Sequence, residues 1–137
     1  MRVAGLFLDT SGWFAALSPR ERGHSIARDA YASAASGGAQ LMTTALVIAE
    51  MHALMLRWRE PKSAARFLTL ALESGTHIVV APDAELLGAA LDGWVRRFAD
   101  QRFSLCDAVS FEVMRRDRLR KALTFDRHFR TAGFDTL

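Results

Sequence analysis

Leu6-Phe7-Leu8-Asp9-Thr10-Ser11-Gly12-Trp13 is the stretch that decides how this chain folds. The apolar run from Val3 to Leu8 is short, is made of β-compatible residues and stops on a carboxylate. It reads as a first strand, apolar throughout rather than alternating, as strands covered on both faces are. Asp9 then has two readings. It is either a carboxylate at the carboxyl edge of a central strand, facing a crevice where α/β sheets place their sites, or the N-cap of the next helix.

Outward from that stretch the chain alternates strands and helices. Ser18-Pro19 breaks it, His24 to Ala35 has helical composition, and Gly37-Gly38 ends that helix. Gln40 to Thr43 is a short strand, and Thr44 caps a helix from Ala45 to about Trp58. Pro61 suits the first turn of a helix running to about Ser74. His77 to Ala81 is the clearest buried strand. Pro82-Asp83 opens a helix to about Ala99, and Ser104 opens another to about Arg116. Ala122 to Phe125 reads as a strand, Asp126 to Thr131 as a helical turn and Phe134 to Leu137 as a last edge strand. Apolar strands separated by helices predict an α/β fold, a parallel sheet covered on both faces. No repeat or linker divides residues 1–137, which read as one domain.

Composition narrows the function. Half the residues are hydrophobic and 24% are charged, which excludes a disordered tail or a low-complexity linker. The single cysteine, Cys106, excludes an intrachain disulfide and a multi-cysteine zinc site, and suggests a reducing, cytoplasmic compartment. Arg2 followed by Val3 to Leu8 begins like a signal peptide, but Asp9 cuts the run short. No run reaches the length of a membrane span. Net charge is +3, concentrated between Arg96 and Arg130, where ten Lys/Arg face five Asp/Glu. Such a surface suits a polyanion, although an ordinary solvated surface has the same composition.

Three further carboxylates join Asp9. Glu50 and His52 are the polar residues between Ala45 and Leu56, and Glu50 shares its helical face with Leu46, Val47, Ala53 and Leu54. The expectation is a core-facing carboxylate that must pair, protonate or bind a cation. Asp107 lies in Ser104-Leu105-Cys106-Asp107, a capping-box pattern, so it can serve as a cap or as a ligand. Asp126 follows a strand, as Asp9 does, and can also be an N-cap. All four can reach one sheet edge. Clustered carboxylates repel unless a cation lies between them, and an all-oxygen set selects Mg²⁺ or Mn²⁺ over Zn²⁺. Such ions activate water and neutralise a phosphoryl group during in-line attack.

Leu6 to Trp13, Ala49-Glu50, Ser104 to Arg116 (SLCDAVSFEVMRR) and Ala122 to Phe134 (ALTFDRHFRTAGF) together resemble a PIN domain, most closely the toxins of VapBC-type toxin–antitoxin systems. The resemblance spans essentially the whole chain. It implies a three-layer α/β/α fold and an endoribonuclease dependent on Mg²⁺ or Mn²⁺. It implies an acidic quartet falling on Asp9, Glu50, Asp107 and Asp126, with Thr10 or Ser11 assisting by hydrogen bonds. It also implies RNA as substrate, a homodimer and a small antitoxin that blocks the site.

The remaining reactive residues are expected to be structural. Cys106 has no partner for a Cys–His nucleophile, His52 and His77 read as core or rim residues, and His128 is placed to touch substrate phosphate. Met51, Leu54 and Met55 read as core or dimer contacts, and Trp58 and Trp94 as packing residues. Two alternatives compete with the nuclease: a PIN-like RNA-binding or assembly module without catalysis, and a phospho-aspartyl enzyme. The second lacks the further Asp expected two residues after Asp9, where Ser11 stands.

Overall fold

A computed structural model describes residues 5–137. Four strands, β1 (Gly5–Leu8), β2 (Gln40–Thr44), β3 (His77–Val80) and β4 (Ala122–Leu123), form one parallel sheet in the order β3-β2-β1-β4. Val3 and Ala4, expected in the first strand, lie outside the described residues. The helices are α1 (Thr10–Leu17), α2 (His24–Ser36), α3 (Ala45–Trp58), α4 (Pro61–Glu73), α5 (Ala84–Ala90), α6 (Leu105–Arg116) and α7 (Arg127–Thr131). Helices α1 to α4 pack on one another, as do α5 to α7, and these two groups enclose the sheet in an α/β/α arrangement.

Local chemistry sets the element ends. The Thr44 hydroxyl accepts the Val47 N–H at 3.2 Å and caps α3, and Asp83 accepts the Leu86 N–H at 2.8 Å and caps α5. Pro61 occupies the first turn of α4, where a missing N–H costs nothing. Phe7, Leu8, Trp13, Leu41, Val47, Met51, Val109, Phe111, Met114 and Phe129 form the fully buried centre.

Several expectations need correction. His77 to Ala81 is not a buried strand, because β3 is the sheet edge and Ile78 is exposed. The strand expected from Ala122 to Phe125 closes after Leu123, since the backbone then turns to bring Thr124 and Asp126 back to β1. Phe134 to Leu137 does not add a strand; a single bridge joins Lys121 to Asp135. The helix expected to reach Ala99 is α5 followed by a π-helical turn over Leu91–Arg96.

The chain passes from β1 outward to β2 and β3, and returns to the other side of β1 as β4. Open α/β sheets bind ligands at the carboxyl end of such a switch point. Here that end carries Asp9 after β1 and Thr124 to Asp126 after β4.

Candidate active site

Register brings the first two carboxylates together. Leu8 pairs with Leu123, and the Asp9 N–H donates to the Leu123 carbonyl at 3.2 Å, so Asp9 lies beside Thr124. Gly12 allows this approach: a Cβ there would lie 2.2 Å from the Leu123 carbonyl oxygen, so only glycine lets the first turn of α1 sit on β4.

Asp9 precedes α1 but does not cap it with its side chain. Its carboxylate instead accepts a 2.7 Å hydrogen bond from the Thr124 hydroxyl. That hydroxyl also accepts the Asp126 N–H at 2.9 Å, and the Ser11 hydroxyl, 3.1 Å away, completes its capacity by donating to it. Ser11 Oγ in turn accepts the Phe125 N–H at 2.9 Å. Thr124 is therefore the joint between Asp9 and Asp126, a role that its place in a short apolar strand did not signal.

Asp9 is 5% exposed. Burial pushes its carboxyl up to about 7, against hydrogen bonds from Thr124 and Thr10 that favour the anion, and the nearby charges of Asp107 and Asp126 push the same way. A carboxylate held this way is stabilised by a cation.

Asp107 is the cap that one of its sequence readings expected, and its carboxylate also faces the acidic cluster. The Ser104 hydroxyl accepts the Asp107 N–H at 3.0 Å, and Asp107 Oδ2 accepts the Ser104 N–H at 3.1 Å, a complete capping box. Oδ2 also lies 3.2 Å from His128 Nδ1. Burial raises the Asp107 carboxyl above the ordinary carboxylate range, opposed by the Ser104 N–H, and Asp126 raises it further. Asp126 caps α7 by accepting the His128 N–H at 2.9 Å, and its Oδ1 is 3.6 Å from His128 Nδ1.

Glu50 departs from expectation. It is exposed, because the buried stripe of α3 runs through Val47, Ile48, Met51 and Met55. Glu50 is one residue, about 100°, round the helix from Met51, and it faces the crevice rather than the core. There it accepts a 2.7 Å hydrogen bond from the Thr10 hydroxyl. The Cys106 thiol lies among these acids: burial first, then Glu50, Asp9 and Asp107, raise it far above the usual thiol range. Cys106 is thus a buried un-ionised thiol, and it places Glu50 in electrostatic reach of the same centre.

The tightest cluster is Asp107, Asp126 and His128, whose ligand atoms lie within 4.8 Å of one another, with Asp9 and Glu50 further off. Among the described residues no arginine or lysine pairs with any of the four carboxylates. The charge they gather is left uncompensated, which fits a hard cation held by oxygens and, at His128, one nitrogen. Asp9, Asp107 and Asp126 fit as its ligands, with Glu50 at the outer side.

Glu112, further along α6, is different. It is 4% exposed, accepts the Trp94 indole N–H at 3.1 Å and pairs with Arg115 and Arg116 at 2.7 and 2.8 Å. Arg115 first, then Arg116 and Trp94, hold its carboxyl down to about 2. Arg116 also binds Glu85 of α5 at 2.7 Å. This is a structural tie, and together with the Arg96–Asp92 pair it neutralises part of the basic stretch expected to meet a polyanion.

Known proteins resemble this chain in sequence and in fold. The sequence profile of the PIN domain family matches residues 6–135. The chain is 30% identical over 129 residues to the 23S rRNA-specific endonuclease VapC20 of Mycobacterium tuberculosis, covering 94% of this chain and 95% of that one. The crystal structure of VapC20, described as a sarcin-ricin loop cleaving toxin, superposes with a TM-score of 0.85 at 31% identity, over 95% of this chain and 96% of that one. VapBC2 of Rickettsia felis, bound to a promoter DNA fragment, shares the fold at a TM-score of 0.69 and 10% identity, over 96% of each chain. FitAcB of Neisseria gonorrhoeae shares it at 0.64 and 14%, again over 96% of each.

Proposed function

The chain belongs to the PIN domain family, and on that premise we propose that it is a metal-dependent endoribonuclease of the VapC type, the toxin of a toxin–antitoxin pair. The observation that carries this reading is the gathering of Asp9, Asp107 and Asp126 at the β1/β4 switch point with, among the described residues, no arginine or lysine paired to them. The VapC20 relative extends it to RNA, with ribosomal RNA as the substrate class to test first.

Mg²⁺ or Mn²⁺ would be held by Asp9, Asp107 and Asp126, and when bound it supplies a deprotonated water and charge neutralisation at the phosphoryl group. The chain's own residues do the rest. Thr124 fixes Asp9 and Asp126 relative to each other through one hydroxyl. Ser104 holds Asp107 at the start of α6. Thr10 orients Glu50, which faces open solvent and is suited to positioning the attacking water. His128, against Asp107 and Asp126, orients both.

Partners follow from the same reading: an antitoxin that covers the carboxylate pit, and a second copy of the chain. RNA as substrate and a single cysteine support action in the cytoplasm. No helix among the described residues is long and apolar enough to cross a membrane.

The test is cleavage of total and ribosomal RNA by the purified chain with Mn²⁺. Asp9→Asn and Asp107→Asn should each abolish cleavage while circular dichroism stays that of the parent. Cleavage by the double variant at the parent's rate refutes the reading, and a parent that does not cleave RNA favours the non-catalytic module.

A further inference from the structure

A surface beside the carboxylates is used by none of the roles above. A groove of about 810 Å³ opens on the α1–α3 side of the site, and Ser11 and Phe125 line both groove and site. Trp58 joins it to a second hollow of about 730 Å³, rimmed by Arg20, Arg57 and Arg59.

Two aromatic rings stand out on this surface. Phe125 lies in sequence between Thr124 and Asp126, yet it is 43% exposed. Its position is fixed twice. Its N–H is held by Ser11, and its ring rests on Gly23, whose φ of +81° and lack of Cβ admit it; a Cβ there would be 2.6 Å from Phe125 Cζ. Trp58 is 58% exposed, contrary to the packing role its sequence suggested, and carries the Arg57 guanidinium 5.3 Å from its ring centroid. Leaving two large rings in water has no structural benefit.

The charge is equally specific. Arg20, Arg22, Arg57 and Arg59 line the two hollows, against Glu21 and Glu60. Among the described residues none of these arginines pairs with a carboxylate. In the C-terminal basic stretch Arg96, Arg115 and Arg116 are held in ion pairs, so these hollows share with residues such as Arg127 the unpaired positive charge near the site.

Exposed planar rings interleaved with free guanidiniums, continuous with a centre that must receive a phosphodiester, form a platform for unpaired nucleotides. We propose that this groove is the track along which single-stranded RNA leaves the cleavage centre, with Phe125 and Trp58 each stacking a base and Arg20, Arg22 and Arg57 meeting phosphates. The inference rests on the ribonuclease reading and adds the residues that grip the RNA. An amphipathic protein helix is the other occupant such apolar walls could take. The arginines of the two hollows, and the groove's sharing of Ser11 and Phe125 with the frame of the site, favour RNA.

The experiment measures anisotropy of a short fluorescein-labelled single-stranded RNA of mixed sequence with the full chain, in Ca²⁺ buffer. Phe125→Ala and Trp58→Ala should each weaken binding about 10-fold, the lower part of the range for one stacked base. Phe125→Tyr and Trp58→Phe should keep it, with the tyrosine variant as the folded control at Phe125, whose ring rests on Gly23, and Trp58→Ala should melt close to the parent. Arg22→Ala with Arg57→Ala should flatten the dependence of log affinity on log salt by about 1.4, about 0.7 per phosphate on a single strand. Unchanged affinity and salt slope in these variants, in a parent that cleaves RNA, overturns the track and leaves the nuclease standing. The track is overturned equally if an amphipathic leucine–glutamate helical peptide binds in a Phe125-dependent way while RNA does not. Phe125-dependent RNA binding by a parent that never cleaves RNA overturns the nuclease and keeps the track.

Discussion

Asp9→Asn should stabilise this protein in the absence of metal, and the size of the effect follows from where Asp9 sits. Its carboxyl titrates near 7 in the folded chain against an ordinary value of 3.8, because burial and the charges of Asp107 and Asp126 oppose ionisation. Between those values the folded state holds more protons than the unfolded state, so stability falls as pH rises through that window and levels off above about 7. At 1.36 kcal/mol per pH unit, the full difference is about 4 kcal/mol, of which about 3 kcal/mol is lost between pH 5 and pH 8. Asparagine keeps an oxygen to accept the Thr124 hydroxyl and carries no charge. In EDTA, urea denaturation should therefore find Asp9→Asn more stable than the parent by about 2–4 kcal/mol at pH 8, with the gap narrowing towards pH 5 and the urea dependence unchanged. Adding Mn²⁺ at about a hundred times its dissociation constant should return about 2.7 kcal/mol to the parent and nothing to the variant. Parallel pH profiles for the two proteins, or a variant less stable at pH 8, would refute the reasoning.

Other perturbations probe the frame of the site. Thr124→Val removes the hydroxyl shared by Asp9 and Asp126; RNA cleavage should fall at least tenfold and unfolding free energy by about 1–3 kcal/mol. Gly12→Ala drives a methyl into the Leu123 carbonyl, so denaturant melts should show a loss of about 1–3 kcal/mol or more together with lost cleavage, as α1 lifts off β4. Arg115→Ala with Arg116→Ala leaves the Glu112 carboxylate with Trp94 alone; calorimetry should register a lower melting temperature, while the metal response of the remaining folded protein persists.

The sequence carried most of the fold because strands and helices announce themselves locally. Thr44, Pro61 and Ser104 mark helix starts by their own chemistry, and each proved to do so. Edge against centre was not legible for His77 to Val80, since an apolar run does not tell which neighbour it pairs with. Glu50 was misplaced for a related reason: Leu46, Val47 and Leu54 around it suggested a core face, but the buried stripe of α3 lies one step round the helix. Asp107 shows the limit of weighing cap against ligand, because a capping carboxylate can still face a cluster of other ligating groups, here through His128. Thr124 and His128 gained their places only through tertiary contact. Thr124 depends on the β1–β4 register, and His128 on α7 turning back over the start of α6, a contact between residues 21 apart. The groove behind Phe125 was hidden for the same reason, being assembled from the α1–α2 connection and the end of α3.

Titration of Mn²⁺ into the parent and into Asp9→Asn/Asp107→Asn, followed by calorimetry at pH 8, addresses the metal centre directly. A saturable heat in the parent that is absent from the double variant, with RNA cleavage lost on adding EDTA, is the predicted result. Equal heats in both proteins, or cleavage that survives EDTA, would contradict it.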